Sequence, residues 1–211
     1  MRSPFEEIFH TSNPARDKYL SRLFGLFSEE VVRQWCKCPE APFEDIGRPT
    51  LRLAGERRGQ TLDFTLRDRT TSHLFVAELK CELEFEGYRF LRLRSPDQIK
   101  HHYIPPSSPV AFKRFVHLAS NPKAFSVRVA RKSVDVDGAI LVWGSIKQDA
   151  RPAIMAEYGF ANILSVESML ADLTLWDSAD WMRRVDEIQS WSNTLFSYLR
   201  DADNTSTHNH L

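Results

Sequence analysis

Three side chains within one short stretch, Thr61 to Lys80, are of types that can do chemistry together: Asp63, Glu78 and Lys80. Glu78 and Lys80 are two residues apart, so on a β-strand they project from one face while Leu79 points into the opposite layer. In the run before them, Leu62, Phe64 and Leu66 alternate with Thr61, Asp63 and Thr65, which puts Asp63 on the polar side of a strand. Sequential strands usually pair, and pairing brings Asp63 alongside Glu78. Two adjacent carboxylates repel and resist burial, a cost that a divalent cation removes. Mg²⁺ takes oxygen ligands and usually keeps waters, binding through one or two carboxylates plus substrate phosphate, for which Asp63 and Glu78 are candidates and the Leu79 carbonyl could be a further ligand. A cation there would polarise a phosphoryl oxygen and acidify a bound water. Lys80 would position or deprotonate the attacking water, or stabilise developing negative charge. The rival reading is structural, a buried salt bridge from Glu78 to Lys80 or to an arginine.

The elements that must hold these groups follow from periodicity. Leu74 to Cys81 is apolar on both faces except at Glu78 and Lys80, as a strand covered on both sides would be. Residues 5–37 read as helical, starting at Ser12-Asn13-Pro14 and broken near Gly25 and Ser28 into two helices. Residues 38–49 carry Pro39, Pro42 and Pro49 and read as a loop, with a first strand expected over Thr50–Ala54. Ser95-Pro96-Asp97 opens a helix, Ala111 to Leu118 is amphipathic, Ser126–Ala130 is a short strand and Gly138–Ile146 a second buried one. A helical turn and a strand near Ile163 follow, then a helix from Glu167 and an amphipathic helix over Trp181–Arg200. The expected fold class is α/β: one domain over residues 1–200, a mixed central sheet flanked by helices with C-terminal helical additions, and a polar, disordered tail over 201–211.

Asp63, fourteen intervening residues and then Glu78-Leu79-Lys80 on an apolar strand resemble the signature of the PD-(D/E)xK, restriction-endonuclease-like nuclease superfamily. The order helix, three strands, helix, strand over residues 14–146 resembles that superfamily's common α-β-β-β-α-β core. Leu62 stands where the motif has proline, a residue that contributes no ligand. The resemblance implies a nuclease dependent on Mg²⁺, with Mn²⁺ as a substitute, that hydrolyses phosphodiester bonds, with a DNA endonuclease as the working expectation. It implies that Asp63, Glu78 and Lys80 are catalytic and that Asp63, Glu78 and Leu79 hold the metal. Gln98 and Tyr103 resemble the glutamine–tyrosine pair of the RecB-like branch at a spacing one residue longer, and Gln98 is carried as a further catalytic candidate against a solvated helix face. A first-helix acid often joins such sites; Glu29 and Glu30 both qualify.

Formal net charge is zero, so overall electrostatics select no partner. The distribution does: residues 87–132 carry ten basic residues against the single acid Asp97. Arg89, Arg92, Arg94, Lys100, Lys113 and Arg114 are the candidates for contacting a nucleic-acid backbone, against a chance run of solvated cations. The Trp-rich C-terminal helix (Trp176, Trp181, Trp191) is either core or the contact of a homodimer. Three cysteines give no disulfide framework, and Cys36-Lys37-Cys38 lacks a second pair at zinc spacing. No apolar run is long enough to span a bilayer and residues 1–10 do not resemble a signal peptide, so a cytoplasmic protein without membrane contact is expected. The alternative function is a catalytically inactive nucleic-acid-binding or protein-interaction module with the same fold.

Overall fold

The computed structural model describes residues 3–11, 18–85 and 89–205. Packing divides the chain into two compact units, Met1–Asp172 and Leu173–Leu211. The first is mixed α/β. After a short helical segment, Pro4–Ile8, its long helix α1 (Lys18–Lys37) runs unbroken through Gly25 and Ser28, where two helices were expected. The Ser28 hydroxyl donates to the Phe24 carbonyl at 2.8 Å, four residues back, so it joins the helix rather than capping a new one. The expected start at Ser12-Asn13-Pro14 lies outside the described residues.

Two sheets follow. The central one contains β1 (Phe43–Asp45), β3 (Phe64–Asp68), β4 (Leu74–Lys80), β6 (Gly138–Trp143) and β7 (Asn162–Ser165) in the order β7-β6-β4-β3-β1. The β1–β3 and β3–β4 pairs are antiparallel; the β4–β6 and β6–β7 pairs are parallel. The second sheet is built on β2 (Pro49–Leu53) and β5 (Phe125–Val129), which pair antiparallel. This corrects the expected first strand. The expected Thr50–Ala54 strand is Pro49–Leu53 of the second sheet, and one edge strand of the central sheet is Phe43–Asp45, inside the proline-rich segment expected as a loop. Three residues between Pro42 and Pro49 suffice because an edge strand needs ladder bonds on one side only.

The parallel step from β4 to β6 is made through α2 (Pro96–Tyr103) and α3 (Val110–Ser120). Val76, Ala139, Leu141 and Trp143 from the central sheet share a core with Phe112, Phe115 and Leu118 of α3 and with Leu51 and Val127 of the second sheet. The other face holds Phe64, over which the Arg33 guanidinium of α1 lies at 5.8 Å. Covered on both faces, the sheet buries Thr65 completely, although its alternation with Leu66 had placed it among outward polar positions. Beyond β6 come α4 (Arg151–Tyr158), β7 and α5 (Val166–Leu175).

The second unit holds α6 (Ala179–Thr205), on which Trp181 is buried and Trp191 exposed. The helix continues past Asp201 to Thr205, so the first residues of the expected disordered tail are helical, while 206–211 lie outside the described residues. Among the described residues, no helix is long and apolar enough to cross a membrane.

Candidate functional site

Asp63 occupies the junction of the two sheets. Gln60 and Thr61 pair with Leu51 and Thr50 of β2, and the Leu62 amide still donates to the Pro49 carbonyl at 3.0 Å. Two residues later Phe64 is in the central sheet, opposite Ala77. One step back along that antiparallel register, Asp63 faces Glu78. Because the chain is leaving one ladder for another, the Leu62 carbonyl accepts from Arg48 Nε and Leu79 lies beyond the paired residues of β3. The Asp63 carboxylate reaches it, its Oδ2 accepting from the Leu79 amide at 2.9 Å. A residue's N–H and C=O emerge on the same side of a strand, so the Leu79 carbonyl also points toward Asp63.

Glu78 and Lys80 project on the face that carries Leu141 and Trp143, their partners on β6. The Lys80 ammonium lies 2.9 Å from Glu78 Oε1 and 4.9 Å from the centre of the Phe112 ring. The Glu78 side chain is only 8% exposed, and those of Asp63 and Lys80 are 18% and 19% exposed. Glu78 Oε2 is buried without a hydrogen-bond partner. Burial pushes the Glu78 carboxyl up to about 7; Lys80 acts against that rise and the Asp63 carboxylate reinforces it. A buried carboxylate oxygen with no donor beside a second carboxylate is costly as it stands. A proton or a cation relieves it. The donor set of Asp63, Glu78 and the Leu79 carbonyl fits a hard cation that keeps most of its waters. Among the described residues, no group of three or more His, Cys, Asp or Glu is gathered for a metal ion, so this set depends on the main-chain carbonyl. Cys36, Cys38 and Cys81 are buried thiols, and burial pushes Cys36 and Cys81 up to about 12, far from thiolate chemistry.

The other sequence candidates are placed differently. Gln98 is not aimed at the carboxylates: its amide oxygen accepts from the Arg94 and Ser95 amides, and its Nε2 donates to the Arg89 and Arg92 carbonyls at 3.1 and 2.9 Å. It is the third residue of a capping box at the start of α2, a role that Ser95-Pro96-Asp97-Gln98 spells out in sequence. Tyr103 packs edge-on against Tyr158, 6.1 Å between ring centres. Glu29 pairs with Arg33 at 2.6 Å, and Glu30 accepts from Gln34 at 2.8 Å, along their own helix.

The basic segment is compensated more than its count suggests. Arg92 lies 3.4 Å from the buried Glu6, Lys100 bridges Asp97 and Glu157 at 2.9 and 3.1 Å, and Arg114 holds Glu56 at 2.5 Å. Lys113 reaches the Pro106 carbonyl at 3.5 Å. Arg89 and Arg94 are exposed. The acids that neutralise this segment, Glu6, Glu56 and Glu157, lie far off in sequence, so a charge tally over residues 87–132 misses them.

One residue at the site was not singled out from sequence. Arg48, in the loop between β1 and β2, has its Nη2 3.6 Å from Asp63 Oδ1 and donates from Nε to the Leu62 carbonyl at 3.2 Å. The available signal was Gly47-Arg48-Pro49, an arginine between the residue that most readily takes positive φ and the one whose φ is fixed.

Comparison with protein-family models, with curated proteins and with solved structures returns no match. What the site can do follows from its own residues.

Proposed function

We propose that the protein is a metal-dependent nuclease of PD-(D/E)xK type that hydrolyses phosphodiester bonds, with DNA as its first candidate substrate. The observation that carries this reading is the meeting of Asp63 and Glu78 around the Leu79 peptide, with one Glu78 oxygen buried and unpartnered. The order of elements supports it: a helix, an antiparallel run β1-β3-β4, a helical crossover, and β6 parallel to β4. Asp63, Glu78 and the Leu79 carbonyl would hold Mg²⁺, or Mn²⁺ in its place. When bound, the ion would supply charge neutralisation at the phosphoryl group and an acidified water. With Glu78 given over to the ion, Lys80 would orient the attacking water or stabilise the charge that develops on the phosphate. The exposed Arg89 and Arg94 would contact flanking phosphates, which gives affinity without reading sequence. Two copies would be needed to cut both strands together, and the exposed Trp191 and Phe196 of α6 offer apolar surface for such a pair.

A second reading, a module of the same fold without catalysis, is favoured by one observation: Lys80 already closes on Glu78 and lies over Phe112, which neutralises Glu78 without any metal. The test is incubation of plasmid and linear DNA with the purified protein and Mg²⁺ or Mn²⁺, beside Lys80→Ala and Asp63→Ala. The nuclease reading predicts cleavage by the wild type that both substitutions abolish. Undiminished cleavage by either variant would overturn the residue assignment, and a parallel assay on RNA distinguishes the polymers.

A further inference from the structure

Among the described residues, Arg48 is the cation placed on the Asp63 carboxylate, and the way it is held points beyond a counter-ion role. Its backbone is pinned on both sides. The Gly47 amide donates to Asp45 Oδ1 at 2.9 Å with Gly47 at φ +116°, and the Pro49 carbonyl receives the Leu62 amide at 3.0 Å. The side chain is pinned at Nε by the Leu62 carbonyl. This leaves the outer edge of the guanidinium free to act. The Asp63 contact, at 3.6 Å, is longer than a hydrogen bond, and the Arg48 side chain is 58% exposed. The guanidinium therefore sits beside the carboxylate, within reach of solvent, without being consumed by it. Arg92 and Arg114 differ: Arg92 is turned onto the buried Glu6, and Arg114, itself 14% exposed, closes on Glu56 at 2.5 Å.

Resting on the nuclease reading above, we propose that Arg48 is a substrate-phosphate-binding residue: with a cation on Asp63 and Glu78, its guanidinium grips a non-bridging oxygen of the phosphodiester held at that cation. With Asp63 holding a divalent ion, the Arg48 guanidinium would lose its attraction to that carboxylate and would be free to turn to a substrate phosphate. A planar guanidinium anchored at one nitrogen and presenting two others matches two phosphate oxygens, a geometry that lysine cannot reproduce. Arg48 would thus screen the acidic pair before substrate arrives and clamp the substrate afterwards.

The experiment compares wild type, Arg48→Gln and Arg48→Lys in three assays: Mn²⁺ binding by calorimetry, binding of a short fluorescent DNA duplex in Ca²⁺ by anisotropy, and cleavage of that duplex in Mg²⁺. Arg48→Gln retains a donor for the Leu62 carbonyl, and a thermal melt of each variant shows that it is folded. The proposal predicts Mn²⁺ affinity unchanged or tighter in Arg48→Gln, Ca²⁺-dependent duplex affinity weakened about tenfold, and cleavage reduced about 100-fold, the scale of losing one preorganised donor to a transition-state anion. Arg48→Lys recovers only part of the loss. Wild-type levels of duplex binding and cleavage in Arg48→Gln would overturn the role of Arg48 and leave the nuclease reading standing. A wild type that neither cleaves the duplex nor gains affinity for it with metal would overturn both.

Discussion

Two regions of this molecule are rich in charge, and they treat it in opposite ways. In the segment from Arg89 to Arg114, several cations are closed off by partners from elsewhere in the chain: Arg92 by Glu6, Lys100 by Asp97 and Glu157, Arg114 by Glu56. At the junction of β3 and β4 the charges are fewer and the compensation is incomplete. Glu78 is nearly buried, one of its oxygens has no partner, and a second carboxylate stands beside it. On the proposed reading, the second region, where a buried carboxylate oxygen is left without a hydrogen-bond partner, is the place where a cation would bind. The number of charges in a segment is a poor guide to function; incomplete neutralisation inside a packed sheet is a better one.

The largest effect that would break this contrast is loss of Lys80. Lys80→Ala is expected to lower metal-dependent cleavage by about 1,000-fold or more, whereas Arg114→Ala, which touches only the compensated region, lowers it no more than it lowers the folded fraction. Steady-state cleavage set against circular-dichroism melts checks both. Equal losses in the two variants would erase the distinction.

Next in size is the pH dependence of stability. The Glu78 carboxyl is raised from 4.5 to about 7, chiefly by burial. The folded state therefore binds more protons than the unfolded state between those values, and stability falls as pH rises through that window. The shift corresponds to roughly 3 kcal/mol lost by pH 8 relative to pH 4.5 from this group alone. Urea unfolding across that range measures it, and Glu78→Gln is expected to flatten the profile. Mg²⁺ should raise the melting temperature more at pH 8 than at pH 5.5, because a proton on Glu78 competes with the metal. A larger rise at pH 5.5 would contradict the assignment of Glu78 as a ligand.

A smaller effect separates Gln98 from the site. Gln98→Ala removes a capping box, which costs about 1 kcal/mol and lowers the melting temperature by roughly 2–4 °C, with cleavage per folded molecule unchanged. A loss of turnover in fully folded protein would return Gln98 to the chemistry. The smallest effects belong to the basic segment: Arg89→Ala and Arg94→Ala should each reduce the salt dependence of DNA binding by about one phosphate contact, and Lys100→Ala should leave it unchanged. Titrations at several salt concentrations distinguish them.

Much of this was legible in the sequence because buried strands and parity are local signals. Leu74–Lys80 is apolar apart from Glu78 and Lys80, and its register with β3 puts Asp63 where alternation placed it. Ser95-Pro96 announced the start of α2. The misses were non-local. Phe43–Asp45 is a strand because β3 offers it an edge, which no pattern of three residues can announce. Thr50–Ala54 looked like the first strand of the central sheet because propensity does not say which sheet a strand joins. Gly25 and Ser28 signal a break, but Val31, Val32 and Trp35 bury the helix face that carries the chain straight through. The partners of Gln98, Arg92, Lys100 and Arg114 were not legible for one reason: they are backbone groups and acids, several of which the fold brings from elsewhere.

The central claim, that Asp63 and Glu78 share one cation, is tested most directly by soaking crystals of the protein in Mn²⁺ and collecting anomalous diffraction at the manganese edge. The account predicts a single peak between the two carboxylates, ligated also by the Leu79 carbonyl, with the Lys80 ammonium withdrawn from Glu78. Saturating Mn²⁺ that leaves no peak there, with Lys80 still 2.9 Å from Glu78, would contradict it.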